Sequence, residues 1–123
     1  MRIIPTRMHG VLDYATGGML MAAPELFGLK DVPAAALVPR VAGSGAAAYS
    51  LATDYELGAI KVLPMKAHLA MDAVSGVALA ASPWLFGYAK AGRRYWLPHV
   101  AVGAFEIVAA LSTKTQPSYK PQG

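Results

Sequence analysis

Two histidines and two aspartates in this chain recur in one spacing. His9, Asp13, Thr16 and Gly17 stand at i, i+4, i+7 and i+8, and His68, Asp72, Ser75 and Gly76 repeat the set. Arg7 and Lys66 precede each histidine by two residues. On a helix this spacing forms a single stripe. Three chemistries suit it. Each His can pair with an Asp, on its own helix or across the axis, and fix the helix register, at about 0.6 kcal/mol per interhelical polar contact in a membrane. His9 and His68 can be the axial ligands of a haem, or with Asp13 and Asp72 they can hold a divalent metal. Acids and histidines in series can also relay protons or ions, which would make the protein a small transporter. Glu106 adds a third acid from another helix. No nucleophile–base pair and no nucleotide loop is present, so no catalytic residue is assigned.

The elements that must position these residues are long and apolar. Hydrophobic residues make up 55% of the 123 residues and charged ones 15%, against a usual charged share of roughly a quarter. Val11–Leu29, Pro33–Thr53, Ala67–Ala89 and Tyr95–Thr113 each carry only one or two ionisable residues. Each is long enough to cross a hydrocarbon core of roughly 30 Å at 1.5 Å per residue. The expected fold is all-α, an integral membrane four-helix bundle. Mean hydropathy is a modest +0.39, because alanine and glycine fill much of these stretches. A net charge of +4 is spread along the chain without a basic stripe, so nucleic acid is not an expected partner. The absence of cysteine excludes disulfides, thiol nucleophiles and thiolate metal sites.

The chain also aligns with itself, without a gap, at a shift of about 59 residues. Pro5–Gly28 lies over Pro64–Gly87 with ten identities among 24 pairs, where chance gives roughly two. Pro39-Arg40-Val41-Ala42 lies over Pro98-His99-Val100-Ala101 in the same register. The expected organisation is a two-helix repeat over 1–61, a second over 62–113, and an uncoupled polar tail over 114–123. An even number of helices per copy makes the two hairpins parallel. Helix starts are expected at Pro5, Pro39, Pro64 and Pro98, with helices 2 and 4 able to begin a turn earlier, near Pro33 and Tyr95. Gly28 and Gly87 are placed to end helices 1 and 3. In this register Glu25 and Arg40 correspond to Trp84 and His99, so both are read as structural pairs in contact. Gly43–Ala47 is a small-residue face able to pack within the chain or between subunits.

Ser82-Pro83-Trp84, within Ala81–Gly87 of the second copy, resembles the motif of the SPW-repeat family of small bacterial membrane proteins. The first copy departs from it with Ala23-Pro24-Glu25. The resemblance implies a membrane location and a two-hairpin layout, and it supplies no catalytic residue. The function expected is therefore a non-enzymatic module of the bacterial inner membrane, structural or accessory, with a homo-oligomer or a larger membrane complex as partners. Basic residues are nearly balanced, with Arg2, Arg7, Lys61, Lys66, Lys114 and Lys120 on the terminal side and Lys30, Arg40, Lys90, Arg93 and Arg94 on the other. The small excess puts both termini in the cytoplasm.

Overall fold

The computed structural model describes residues 1–122. Helix α1 covers Thr6–Leu26, α2 Pro33–Leu51, α3 Met65–Leu85 and α4 Arg93–Ser112, with a single 3-10 turn at Ala89–Ala91. The fold is all-α, with no strand among the described residues. One of the four helices, Arg93–Ser112, is both long and apolar enough to cross a membrane. The main packing is α1 on α2 and α3 on α4, with lesser contact between α2 and α3.

Each tight pair is set by a glycine crossing. A Cβ on Gly43 would stand 2.5 Å from the Gly17 carbonyl oxygen, and one on Gly103 would stand 2.5 Å from that of Gly76. Only hydrogen at these positions lets the backbones approach so closely. The small-residue face of α2 therefore serves packing within the chain through Gly43, while Gly45 meets no atom within 4 Å.

The crossings correct the ungapped alignment. Gly17 and Gly76 are 59 residues apart, but their partners Gly43 and Gly103 are 60 apart. The buried residues Ala35, Pro39, Gly43 and Ser50 of α2 correspond in the same way to Tyr95, His99, Gly103 and Ala110 of α4. One residue has been inserted before α4. Two short backbone bridges agree, Ile4 with Thr113 and Thr53 with Leu63. Arg40 is thus matched by Val100 and not by His99.

Pro24, Pro39, Pro83 and Pro98 all lie inside helices, so Pro39 and Pro98 do not open helices 2 and 4. Each such proline removes an N–H and leaves the carbonyl four residues earlier without its helical partner. Two of these carbonyls have visible replacements. Ser82 Oγ donates to the Leu79 carbonyl at 2.6 Å, and His99 Nε2 donates to that of Ala35 at 3.2 Å. The serine and proline of the Ser82-Pro83-Trp84 motif are accordingly one device, a break and its repair. Trp84 is 59% exposed and packs on Trp96, with ring centroids 5.9 Å apart.

Helices α1 and α3 end as expected. Gly28 and Gly87 take φ of 66° and 77°, where a side chain would be strained, and the Leu29 N–H closes α1 on the Pro24 carbonyl at 2.9 Å. The C-terminal segment, expected to be uncoupled, is instead docked. Lys114 N–H donates to Ile4, Ser118 N–H to Glu56 at 2.8 Å, and Tyr119 and Lys120 both reach Asp54. Pro117 is buried beneath them. Only Gly123 of this segment lies outside the described residues.

Candidate functional site: a buried histidine–aspartate quartet

Helices α1 and α3 bring His9, Asp13, His68 and Asp72 into one cluster, with a donor atom of each within 4.8 Å of all the others. His9 Nε2 lies 2.7 Å from Asp72 and 3.1 Å from Asp13. His68 Nε2 lies 3.0 Å from Asp13 and 3.1 Å from Asp72. The imidazoles meet edge to face, with centroids 5.4 Å apart. His9 is 2% exposed and His68 fully buried. The two stripes therefore meet across the α1–α3 boundary, each histidine reaching the aspartate of the other copy as well as its own.

The opposite ring nitrogens are fixed by two threonines. His9 Nδ1 is 2.7 Å from Thr113 Oγ1, and His68 Nδ1 is 2.8 Å from Thr53 Oγ1. Each threonine hydroxyl donates its own proton to a helix carbonyl four residues back, Thr113 to Ala109 and Thr53 to Tyr49, both at 2.6 Å. A hydroxyl with its proton committed can only accept, so both Nδ1 atoms carry hydrogen. Both Nε2 atoms, facing the carboxylates, then hold either a proton or a free lone pair. With protons on both, two imidazoliums and two carboxylates sum to zero charge, which is the condition for burying them together.

Two tyrosines complete the carboxylates. Tyr49 donates to Asp72 Oδ1, and Tyr55 donates to Asp13 Oδ2 at 2.7 Å. One atom stays unmatched. His68 Nε2 is buried and makes no hydrogen bond, since both nearby carboxylate oxygens lie off the line a proton would take.

A small cleft of about 20 Å³, room for a single water-sized group, opens beside the quartet between His9, Asp13, Thr16, Asp72 and Glu106. Thr16 and Glu106 thus lie on its wall. Ser75, the counterpart of Thr16, lies beside Tyr49 and on a groove shared with α2. Between the histidines themselves the rings meet at 5.4 Å and Asp72 Oδ2 lies within 3.1 Å of both Nε2 atoms, so no gap for a porphyrin separates them and the haem expectation does not fit this geometry.

Of the two expected structural pairs, one forms. Arg40 donates to Glu25 at 2.6 Å on the surface, with Lys30 also near that carboxylate. Trp84 and His99 go to other partners. Trp84 packs on Trp96 and buried His99 on Tyr88. The physical reason is the inserted residue, which turns His99 inward to the Ala35 carbonyl, while Trp84 stays on the surface like its counterpart Glu25.

Thr53, Thr113, Tyr49 and Tyr55 were not singled out by the motif. The threonines carried a signal, since they correspond to one another once the second copy is shifted by one further residue. The tyrosines carried none, because Ala109 and Thr115 stand at their equivalent positions.

These features define a class of protein: an all-α tandem repeat in which two glycine-crossed helix pairs are tied by a shared His/Asp cluster. The SPW repeat domain family matches residues 7–113, and the chain belongs to that family. No curated protein and no solved structure matches it.

Proposed function

We propose that the chain is a multi-pass protein of the bacterial inner membrane, a non-enzymatic structural or accessory module of two parallel hairpins that the His/Asp quartet locks in register. The observation that carries this reading is the inverted polarity of the bundle. Leu37, Val41, Val74, Val77, Val108 and Leu111 are each at least 57% exposed, while histidines, an aspartate and threonines are buried. A helix bundle in water places these classes the other way round, and a bilayer makes the arrangement favourable. The outward belt would face lipid or a partner subunit, and both termini would lie in the cytoplasm.

The native chain has no cysteine, so single cysteines at Ala91 and Ser118 report topology directly. In intact cells an impermeant thiol reagent is expected to label position 91 and leave 118 unlabelled. Labelling of 118 alone would reverse the orientation. Labelling of both would overturn the four-crossing topology.

A further inference from the structure

We propose that the quartet is a binding site for one divalent transition-metal ion of the zinc class, held by His9 Nε2, His68 Nε2, Asp13 Oδ1 and Asp72 Oδ2. This goes beyond the structural role of the cluster and does not depend on the membrane topology. Two imidazoles and two carboxylates are a donor set that zinc and its neighbours accept, while magnesium and calcium call for oxygen ligands. The charge closes as well. A divalent cation, two carboxylates and two neutral imidazoles sum to zero, as burial requires.

The surroundings are those of ligands already oriented. Metal-binding histidines hold their second ring N–H in a hydrogen bond that fixes tautomer and ring plane. Thr53 and Thr113 do this for His68 and His9, and their own protons are committed to the Tyr49 and Ala109 carbonyls. Both Nε2 lone pairs of the neutral rings then point into the quartet. Tyr49 holds Asp72 by Oδ1 and leaves Oδ2 to the two histidines, while Tyr55 holds Asp13 by Oδ2, which also faces His68, and leaves Oδ1 free towards His9. The buried, unbonded Nε2 of His68 is the independent sign, an inward-facing donor atom that the protein's own groups do not satisfy.

Spacing agrees with a site that opens slightly on loading. A tetrahedral zinc with bonds of about 2.0 to 2.1 Å separates its ligand atoms by roughly 3.3 Å. Among the four ligand atoms, His9 Nε2 lies 3.1 Å from Asp13 Oδ1, and Asp72 Oδ2 lies 2.7 Å from His9 Nε2 and 3.1 Å from His68 Nε2, so these three contacts need to lengthen by only a few tenths of an ångström. The cleft walled by Thr16 and Glu106 reaches His9, Asp13 and Asp72 from outside and supplies an entry path.

The test uses the full-length protein, purified in detergent, stripped with a chelator and titrated with Co2+ and then Zn2+. One equivalent of Co2+ is expected to give the strong visible bands of tetrahedral nitrogen–oxygen coordination, and one equivalent of Zn2+ to abolish them and raise Tm. His99→Ala should keep the bands, while His9→Ala and His68→Ala should lose them. Because removing a buried quartet histidine also perturbs folding, Tyr49→Phe provides a second readout. It keeps all four ligands and is expected to weaken Co2+ binding by about 10- to 100-fold. A folded wild-type protein showing no tetrahedral cobalt spectrum would overturn the proposal. So would bands that persist in the His9→Ala, His68→Ala double variant. Neither result bears on the cysteine labelling that tests the membrane reading.

Discussion

The two ends of the bundle are built from opposite copies of the repeat. At the end holding the quartet, the first copy supplies the large groups, Tyr49 and Tyr55, and the second has Ala109 and Thr115 at the matching places. At the far end the second copy supplies Tyr88, Tyr95 and His99, against Leu29, Ala35 and Pro39 of the first. The contacts cross between copies at both ends. Tyr49 reaches Asp72, Tyr95 reaches Asp31 at 2.8 Å, and His99 reaches the Ala35 carbonyl. Duplication thus accounts for the helix crossings and the four quartet residues. The filling around them is divided, large against small, so that neither copy can be replaced by the other.

The largest expected effect comes from breaking what the two ends share. Gly43→Val and Gly103→Val each force a side chain into a carbonyl of the facing helix. A loss of about 1 to 3 kcal/mol or more is expected, read as a fall of Tm in detergent. Gly45→Ala, facing open space, should lose nothing and gain about 1 kcal/mol from helix propensity. Equal loss at positions 43 and 45 would show that the crossings do not hold the pairs together.

Next in size is the quartet end. Asp13→Asn and Asp72→Asn should each cost about 1 to 3 kcal/mol, since each leaves a buried partner unmet. If the two stripes act as one unit, the double variant should cost little more than either single variant. Additive Tm losses would show two independent pairs in place of a shared cluster.

The far end tests the opposite arrangement. His99→Leu leaves the Ala35 carbonyl without a donor, at a cost of about 1 kcal/mol or somewhat more. Pro39→Ala restores the helical N–H to that same carbonyl, so His99→Leu should cost less in the Pro39→Ala background. An unchanged cost would place the role of His99 in its packing on Tyr88 and not in its hydrogen bond.

What the sequence disclosed follows the same division. The repeated stripe was legible because side chains at i and i+4 share a helix face in whatever bundle the helix joins, and so His9, Asp13, His68 and Asp72 could be grouped before any packing was known. The glycine ends of α1 and α3 were legible for an equally local reason. The inserted residue before α4 was not, because Pro39 and Pro98 match at the wrong register and proline says little about its position once it is tolerated inside a helix. That single residue misplaced His99 and hid the equivalence of Thr53 with Thr113. Tyr49 and Tyr55 stayed hidden for a different reason. They have no counterpart in the other copy, and their contacts with Asp72 and Asp13 join residues 23 and 42 positions apart.

The smallest effect belongs to the docked C-terminal segment, which binds the loop between the copies through two acids. Burial alone would raise the Glu56 carboxyl, but hydrogen bonds from Ser118 and Thr6 outweigh it and hold the group at about 2, below its ordinary 4.5. Asp54 is lowered as well, first by its contact with Lys120 and then by Tyr119. An acid whose pKa is depressed by folding contributes stability that is fully present above its unfolded value and is lost as pH falls through the folded one. The segment should therefore stay docked at pH 5 and above and release as the pH drops from about 4.5 towards 2. The Ser118 amide resonance reports this directly. In the native chain it is expected to move with a midpoint near the folded Glu56 value, and Glu56→Gln should remove that titration. Tm should change little in the same variant, since both acids are partly exposed and such pairs contribute weakly. A Ser118 midpoint at the ordinary glutamate value would show that the segment does not hold Glu56.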